Sequence, residues 1–153
     1  MAVDRFLGVV AFGYANGMLK FLQCGGNAER EIFNAHQSPI VYVCFNPGMG
    51  TLLTVDWANI IKEWDLSMMQ FMDPTCTKES EIPESPESCF TSCLVAPALQ
   101  SNDPQNHGYA FLGTTSGNVY FYSWADHSLC RHMIKRQMVL KKDTPVTSIK
   151  CSP

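Results

Sequence analysis

The chain has little of what marks a catalyst, a membrane segment or a secreted scaffold. Of its 153 residues only 16% are charged, with a formal net charge of −3. That balance does not advertise nucleic acid as a partner, and it is not the composition of a disordered chain. Seven cysteines are present (Cys24, Cys44, Cys76, Cys89, Cys93, Cys130, Cys151), an odd number without a Cys-x-x-Cys pair. A disulfide framework is therefore not expected, and buried free thiols in a reducing cytosol are. The longest early apolar run, Phe6 to Phe12, is too short for a bilayer, follows no basic stretch and precedes no small-residue cleavage site, so neither signal peptide nor transmembrane helix is read. Asn-x-Ser/Thr acceptors are missing, as are Gly-x-x-x-x-Gly-Lys and Gly-x-Gly-x-x-Gly phosphate loops.

Metal chemistry has equally little support. His127 to His132 (HSLCRH) and Cys89-x-x-x-Cys93 do not match the spacing of zinc modules. A metal- or thiol-dependent enzyme is the weakest of the readings considered. No catalytic residue, no metal and no cofactor is expected, and the chain is read as non-enzymatic.

What is present is repetition. VAFGYANGMLKFLQ (Val10 to Gln23) aligns with LLTVDWANIIKEWD (Leu52 to Asp65) at an offset of 42 residues and with AFLGTTSGNVYFYS (Ala110 to Ser123) at an offset of 100. Each copy runs from an apolar strand through a Gly, Asn, Ser or Asp turn into a second alternating strand. Lys20 falls on Lys62, Leu22 on Trp64 and Tyr122, Gly13 on Gly113, and Gly17 on Gly117. Between the hairpins lies a second recurring unit, an apolar strand stopped by proline: PIVYVCFNP (Pro39 to Pro47), CFTSCLVAP (Cys89 to Pro97) and PVTSIKCSP (Pro145 to Pro153). Proline lacks the N–H of a ladder and belongs at a strand's end. Two insertions stretch the third copy, an acidic one between Met72 and Ser88 and a polar one from Gln100 to Gly108.

A period near 42, four short strands per period and Trp64-Asp65 closing the third strand are the signature of a WD-repeat β-propeller. The expected fold is all-β, about three four-stranded antiparallel blades in an incomplete ring. Blade 1 is placed at about 7–35, blade 2 at 36–73, the acidic insertion at 74–88, blade 3 at 89–137 and the start of a next blade at 144–153. Residues 1–6 are judged too few for an inner strand and its turn. In blade 2 the strands are expected at Ile40 to Phe45, Thr51 to Val55, Asn59 to Trp64 and, outermost, Met69 to Met72. The His, Ser/Thr and Trp of such blades are joined through an Asp in the hairpin turn. His36, Thr54 and Trp64 fit, but Ala58 stands at the usual Asp position, so the network is expected to be incomplete, with Asp56 a guessed substitute. Because three blades and a stray strand cannot close a ring, the expectation is a fragment or truncated product whose remaining blades come from a longer chain or other chains.

Three elements resemble, in order, the N-terminal propeller of the lethal giant larvae and tomosyn family: the first-blade stretch Gly13 to Leu22, Gly48-Met49-Gly50-Thr51-Leu52-Leu53 leading to Trp64-Asp65, and Leu112-Gly113-Thr114-Thr115-Ser116-Gly117-Asn118-Val119. The resemblance implies a cytoplasmic regulator of exocytosis and cell polarity that binds syntaxin-type SNARE proteins, peripheral at the plasma membrane. Family members carry two seven-bladed propellers, and tomosyns a SNARE-like coiled coil; no sustained heptad occurs in this sequence. A generic WD-repeat adaptor, in signalling or ubiquitin ligation, is the alternative.

On such a fold, partners meet the face made by the turns between second and third strands and the loops before inner strands, which puts Tyr14, His36 and Trp57 forward as interaction residues. Ser85-Pro86, in KESEIPESPES (Lys78 to Ser88), resembles a proline-directed phosphorylation site. Arg131, Lys135, Arg136, Lys141 and Lys142 form a basic run suited to acidic lipid or an acidic partner, or to a solvated outer strand. No nucleic-acid partner is expected.

Overall fold

Gly17, Asn59 and Gly117 share one column of the repeat, and all three have left-handed backbone, with φ of 78°, 65° and 81°. In each case the amide of that residue bonds back to the carbonyl three residues earlier: Gly17 to Tyr14 at 3.1 Å, Asn59 to Asp56 at 3.1 Å, Gly117 to Thr114 at 3.1 Å. Glycine and asparagine tolerate this conformation, which is why the turn chemistry recurs where the sequence repeats. The structure is a computed structural model that describes residues 1–26, 28–46, 49–82, 88–96, 108–130 and 145–150.

The described residues form three four-stranded antiparallel sheets. In the first, β1 (Ala2–Asp4), β2 (Val9–Gly13), β3 (Leu19–Gln23) and β4 (Glu29–Ile32) lie in sequence order. The second holds β5 (Ile40–Asn46), β6 (Thr51–Asp56), β7 (Ile60–Asp65) and β8 (Thr75–Glu81), and the third β9 (Phe90–Ala96), β10 (Tyr109–Thr114), β11 (Val119–Ser123) and β12 (Ser128–Cys130). The alignment columns survive as register: Val10 pairs with Leu22, Leu52 with Trp64 and Ala110 with Tyr122. This is the blade plan of a WD-repeat propeller. By contact the chain divides into two compact units, Met1–Glu81 with the first two sheets and Ile82–Pro153 with the third.

Within the first unit the two sheets bury one apolar core. Ala11, Leu19, Phe21, Leu52 and Trp64 belong to it and are inaccessible or nearly so. Each large apolar side chain so buried is worth about 2 kcal/mol against exposure. Leu52, Leu53, Thr54, Val55 and Asp56 are all buried in succession, since both faces of β6 are covered and no alternation is needed. Glu63 and Trp64, neighbours on opposite faces of β7, are both buried as well; the register shift opposite them leaves the extra residue, Thr77, on β8. The outer strands keep an edge of paired charge: Lys20 Nζ lies 2.8 Å from Glu29 and 3.1 Å from Glu31, and Lys62 Nζ 3.0 Å from Glu79. Charges on an edge strand discourage addition of a further strand.

Several expectations are corrected. The first sheet begins at Ala2, not near residue 7: Ala2–Asp4 pair with Val9–Ala11, and Asp4 Oδ1 accepts the Phe6 and Leu7 amides at 2.8 and 3.0 Å, closing the turn in few residues. Met69 to Met72 is no strand; residues 67–72 form a turn in which the Met72 amide bonds the Met68 carbonyl at 3.0 Å. The outer strand is Thr75–Glu81, drawn from the stretch expected to be a loop insertion, because its alternation lets Lys78 and Glu79 register with Glu63 and Lys62. Residues 145–150 form no strand; no other described strand is hydrogen-bonded to them as a ladder partner. Five of the thiols are not buried either: Cys24 and Cys76 are exposed, and Cys44, Cys89 and Cys93 are half-buried, none of them in a disulfide.

Candidate protein-interaction surface

At one end of the first unit, the turns after β2 and β6 flank the segment leading into β5. The Ile40 amide donates to the Tyr14 carbonyl at 3.1 Å and the Trp57 amide to the Pro39 carbonyl at 2.8 Å. Ser38 joins them: its Oγ accepts the Ala58 amide at 3.1 Å. Tyr14 and Trp57 thus stand on either side of Ser38-Pro39-Ile40, with Trp57 60% and Tyr14 39% exposed. Half of this frame is backbone approach. Gly17 sits so close to the His36 carbonyl that a Cβ there would collide with it, and the His36 amide in turn donates to the Gly17 carbonyl at 2.9 Å.

Beneath Trp57 lies a buried polar chain. Trp64 Nε1 donates to Thr54 Oγ1 at 2.9 Å, Thr54 Oγ1 is 2.7 Å from His36 Nε2, and His36 Nδ1 is 2.9 Å from Asp56 Oδ2. A carboxylate only accepts, so Nδ1 carries a proton, and in the neutral ring Nε2 accepts from the Thr54 hydroxyl. The remaining carboxylate oxygen, Oδ1, takes the Ile60 amide at 2.9 Å. Burial alone would raise the Asp56 pKa, but the bonds from His36, the Ile60 amide and Ser38 outweigh it and hold the carboxyl below its ordinary range. The network expected to be incomplete is therefore whole. Asp56 sits at the last residue of β6, two positions before Ala58, and from there reaches both the ring and the turn.

His36 is thus not an interaction residue. Its side chain is fully covered, and it acts by fixing the turn that presents Trp57. Tyr14 and Trp57, the other two residues put forward, are exposed. Sequence reasoning missed Ser38, whose small hydroxyl side chain before Pro39 was the available signal, and left Asp56 a guess; Asp56 shares its column with Tyr14 and Thr114 and so carries no recurring acidic mark.

The third sheet solves the same corner differently. Thr114 and Ser116 hydroxyls lie 2.8 Å apart, the Asn118 amide reaches Thr114 Oγ1 at 3.2 Å, and the Cys89 amide reaches Thr115 Oγ1 at 3.1 Å. The Val146 amide bonds the Thr114 carbonyl at 3.0 Å, the counterpart of the Ile40 bond to Tyr14.

Among the described residues no group of three or more His, Cys, Asp or Glu side chains is placed to hold a metal ion. The Cys76 thiol is pushed up by partial desolvation, and by Glu79 and Glu63 against an opposing Lys62, the reverse of an activated nucleophile. Among the described residues no helix is long and apolar enough to cross a membrane. Ser85 and the basic run Arg131, Lys135, Arg136, Lys141 and Lys142 lie outside the described residues, as does His132.

No protein-family model and no curated protein matches the sequence. Solved structures do. The fold is similar to that of Sqt1 from Saccharomyces cerevisiae, with a TM-score of 0.63 at 14% identity, over 86% of this chain and 33% of that one. It is also similar to the computationally designed Ika4 protein, with a TM-score of 0.63 at 16% identity, over 99% of this chain and 78% of that one. The chain spans about a third of the length of Sqt1. Both likenesses are to propeller structures, and they show the β-propeller type of fold.

Proposed function

We propose that the chain is a non-enzymatic protein-interaction scaffold that binds a protein partner at the Tyr14 and Trp57 surface. The single observation behind this reading is a large indole, 60% exposed, held rigidly by backbone hydrogen bonds beside a second exposed aromatic ring. Aromatic anchors at low entropic cost are what interface hot spots use.

The finer reading follows the family resemblance: a cytoplasmic regulator of exocytosis and cell polarity, of the lethal giant larvae and tomosyn kind, acting on syntaxin-type SNARE proteins and peripheral at the plasma membrane. Phosphorylation at Ser85 would add charge to the acidic stretch, and the basic run from Arg131 to Lys142 would supply a contact to acidic lipid.

Isothermal titration of the chain with the cytoplasmic segment of a syntaxin-type SNARE tests both levels. Saturable binding that falls about tenfold or more in Tyr14→Ala/Trp57→Ala, with the melting curve unchanged, is the expected result. Binding that ignores the substitution removes this surface from the account. No binding at all removes the SNARE reading and favours an adaptor in another complex.

A further inference from the structure

At the other end of the second sheet, away from Trp57, four large apolar side chains stand in water. Met49, Met68, Phe71 and Met72 are 44%, 52%, 79% and 54% exposed. Two hydrogen-bonded loops carry them: the Leu66 amide donates to the Gly50 carbonyl at 2.8 Å, and Gly50 lies against Ser67. The turn is built like one turn of helix. Met72 bonds back to the Met68 carbonyl at 3.0 Å and Phe71 to the same oxygen at 2.9 Å, while Asp65 Oδ1 accepts the Ser67 amide at 2.8 Å and fixes its start.

Spacing sorts the side chains of this turn. Leu66 is buried in the core and Met69 packs partly against it, three residues apart on the inward side. Met68, Phe71 and Met72, at i, i+3 and i+4, take the outward side. A flexible loop would collapse its apolar groups onto the protein; this one is pinned from beneath and holds them out. Methionine suits such a place because its unbranched thioether adapts to different partners.

We propose that this stripe, with Met49 beside it, is a second docking surface, which takes an amphipathic helix of a partner protein bearing apolar residues on one face and Lys or Arg beside them. Two features select that occupant. Apolar side chains at i, i+3 and i+4 on one helical turn form the ridge that packs against the side-chain grooves of a second helix. The segment Asp65 to Asp73 has a carboxylate at each end and no cation within it, and Asp73 is 68% exposed and only loosely engaged by Arg30, at 3.6 Å. The rim therefore attracts basic side chains and repels both an anionic bilayer and a second copy of the same surface. The surface is independent of the Tyr14 and Trp57 reading and stands or falls without it.

The test uses the full chain and a synthetic 18-residue helix with Leu on one face and Lys on the other, titrated by fluorescence anisotropy. Its controls are the same helix with Glu for Lys, and vesicles of phosphatidylcholine with and without phosphatidylserine. The wild-type chain binds the Lys helix, and Met68→Ser/Phe71→Ser/Met72→Ser weakens binding about tenfold or more, with far-UV circular dichroism and melting retained because these side chains are exposed. Asp73→Asn weakens it several-fold, the Glu helix binds poorly, and Trp57→Ala changes nothing. The proposal is overturned if the Lys helix fails to bind, if it binds the triple variant equally well, or if either vesicle binds the chain through the same three side chains.

Discussion

His36 and Asp56, twenty positions apart, meet in the interior with Nδ1 and Oδ2 2.9 Å from each other. One residue beyond Asp56, Trp57 stands in solvent with its amide bonded to the Pro39 carbonyl at 2.8 Å. A buried clamp thus sits directly behind the most exposed tryptophan, and stability and presentation of the surface become one property.

Thr54 is the hinge of the clamp, because its hydroxyl serves both the Trp64 indole at 2.9 Å and the His36 ring at 2.7 Å. Thr54→Val keeps the volume and strands two buried polar groups, at a cost of about 3 kcal/mol. Trp64→Phe strands neither His36 nor Asp56, so it loses less polar stabilisation per group removed. Urea unfolding of the two variants and the wild type checks the order, provided the slopes agree.

Acid acts on the same place. Asp56 has a folded pKa below its ordinary 3.8, so in the window below that value the unfolded chain binds the proton first. Its contribution to stability is complete above the unfolded pKa and disappears as pH falls through the folded one. Asp56→Asn removes this part of the acid dependence. The stabilities of wild type and variant therefore converge as pH drops below about 4, measured by urea midpoints across the acid range.

Two glycines with similar backbone separate conformation from contact. Gly17 has φ of 78° and Gly25 has φ of 84°, but only at Gly17 would a new Cβ strike the His36 carbonyl, while at Gly25 nothing lies within 4 Å. Gly25→Ala costs about 1 kcal/mol of left-handed strain. Gly17→Ala adds a backbone collision that moves His36, at about 3 kcal/mol or more in total. Thermal melts of both variants distinguish the two terms.

Of the three tryptophans, Trp64 and Trp124 are buried and Trp57 is exposed. Acrylamide quenching should therefore find one accessible and two protected populations. Trp57→Phe should remove the accessible fraction and shift the remaining emission to the blue. An unchanged quenching curve would place the indole elsewhere.

The repeat was legible because it rests on local chemistry. Gly17, Asn59 and Gly117 announce turns, and Val10, Leu52 and Ala110 announce strands whose partners lie a fixed distance on. The outermost strand is Thr75 to Glu81 and not Met69 to Met72, because the turn over residues 67–72 delays it and its charged side chains suit an edge. β1 was missed because three residues carry no pattern, and only pairing with Val9 to Ala11 reveals them. For the site, exposure of Trp57 was legible from its place in a turn. The place of His36 with Thr54 and Trp64 was legible too, but closure of that network was not, since it depends on Asp56 reaching back from the end of β6, a tertiary contact with no sequence period.

The claim that the buried clamp holds the Trp57 turn is tested most directly by hydrogen exchange at two amides in wild type and His36→Ala. The reporter is Trp57, bonded to Pro39, and the reference is Leu66, bonded to Gly50 at the far end of the same sheet. The account predicts slow exchange at both in the wild type, and in the variant a rise of about tenfold or more at Trp57 well beyond any change at Leu66. Fast exchange at Trp57 in the wild type, or an equal rise at both amides, would contradict it.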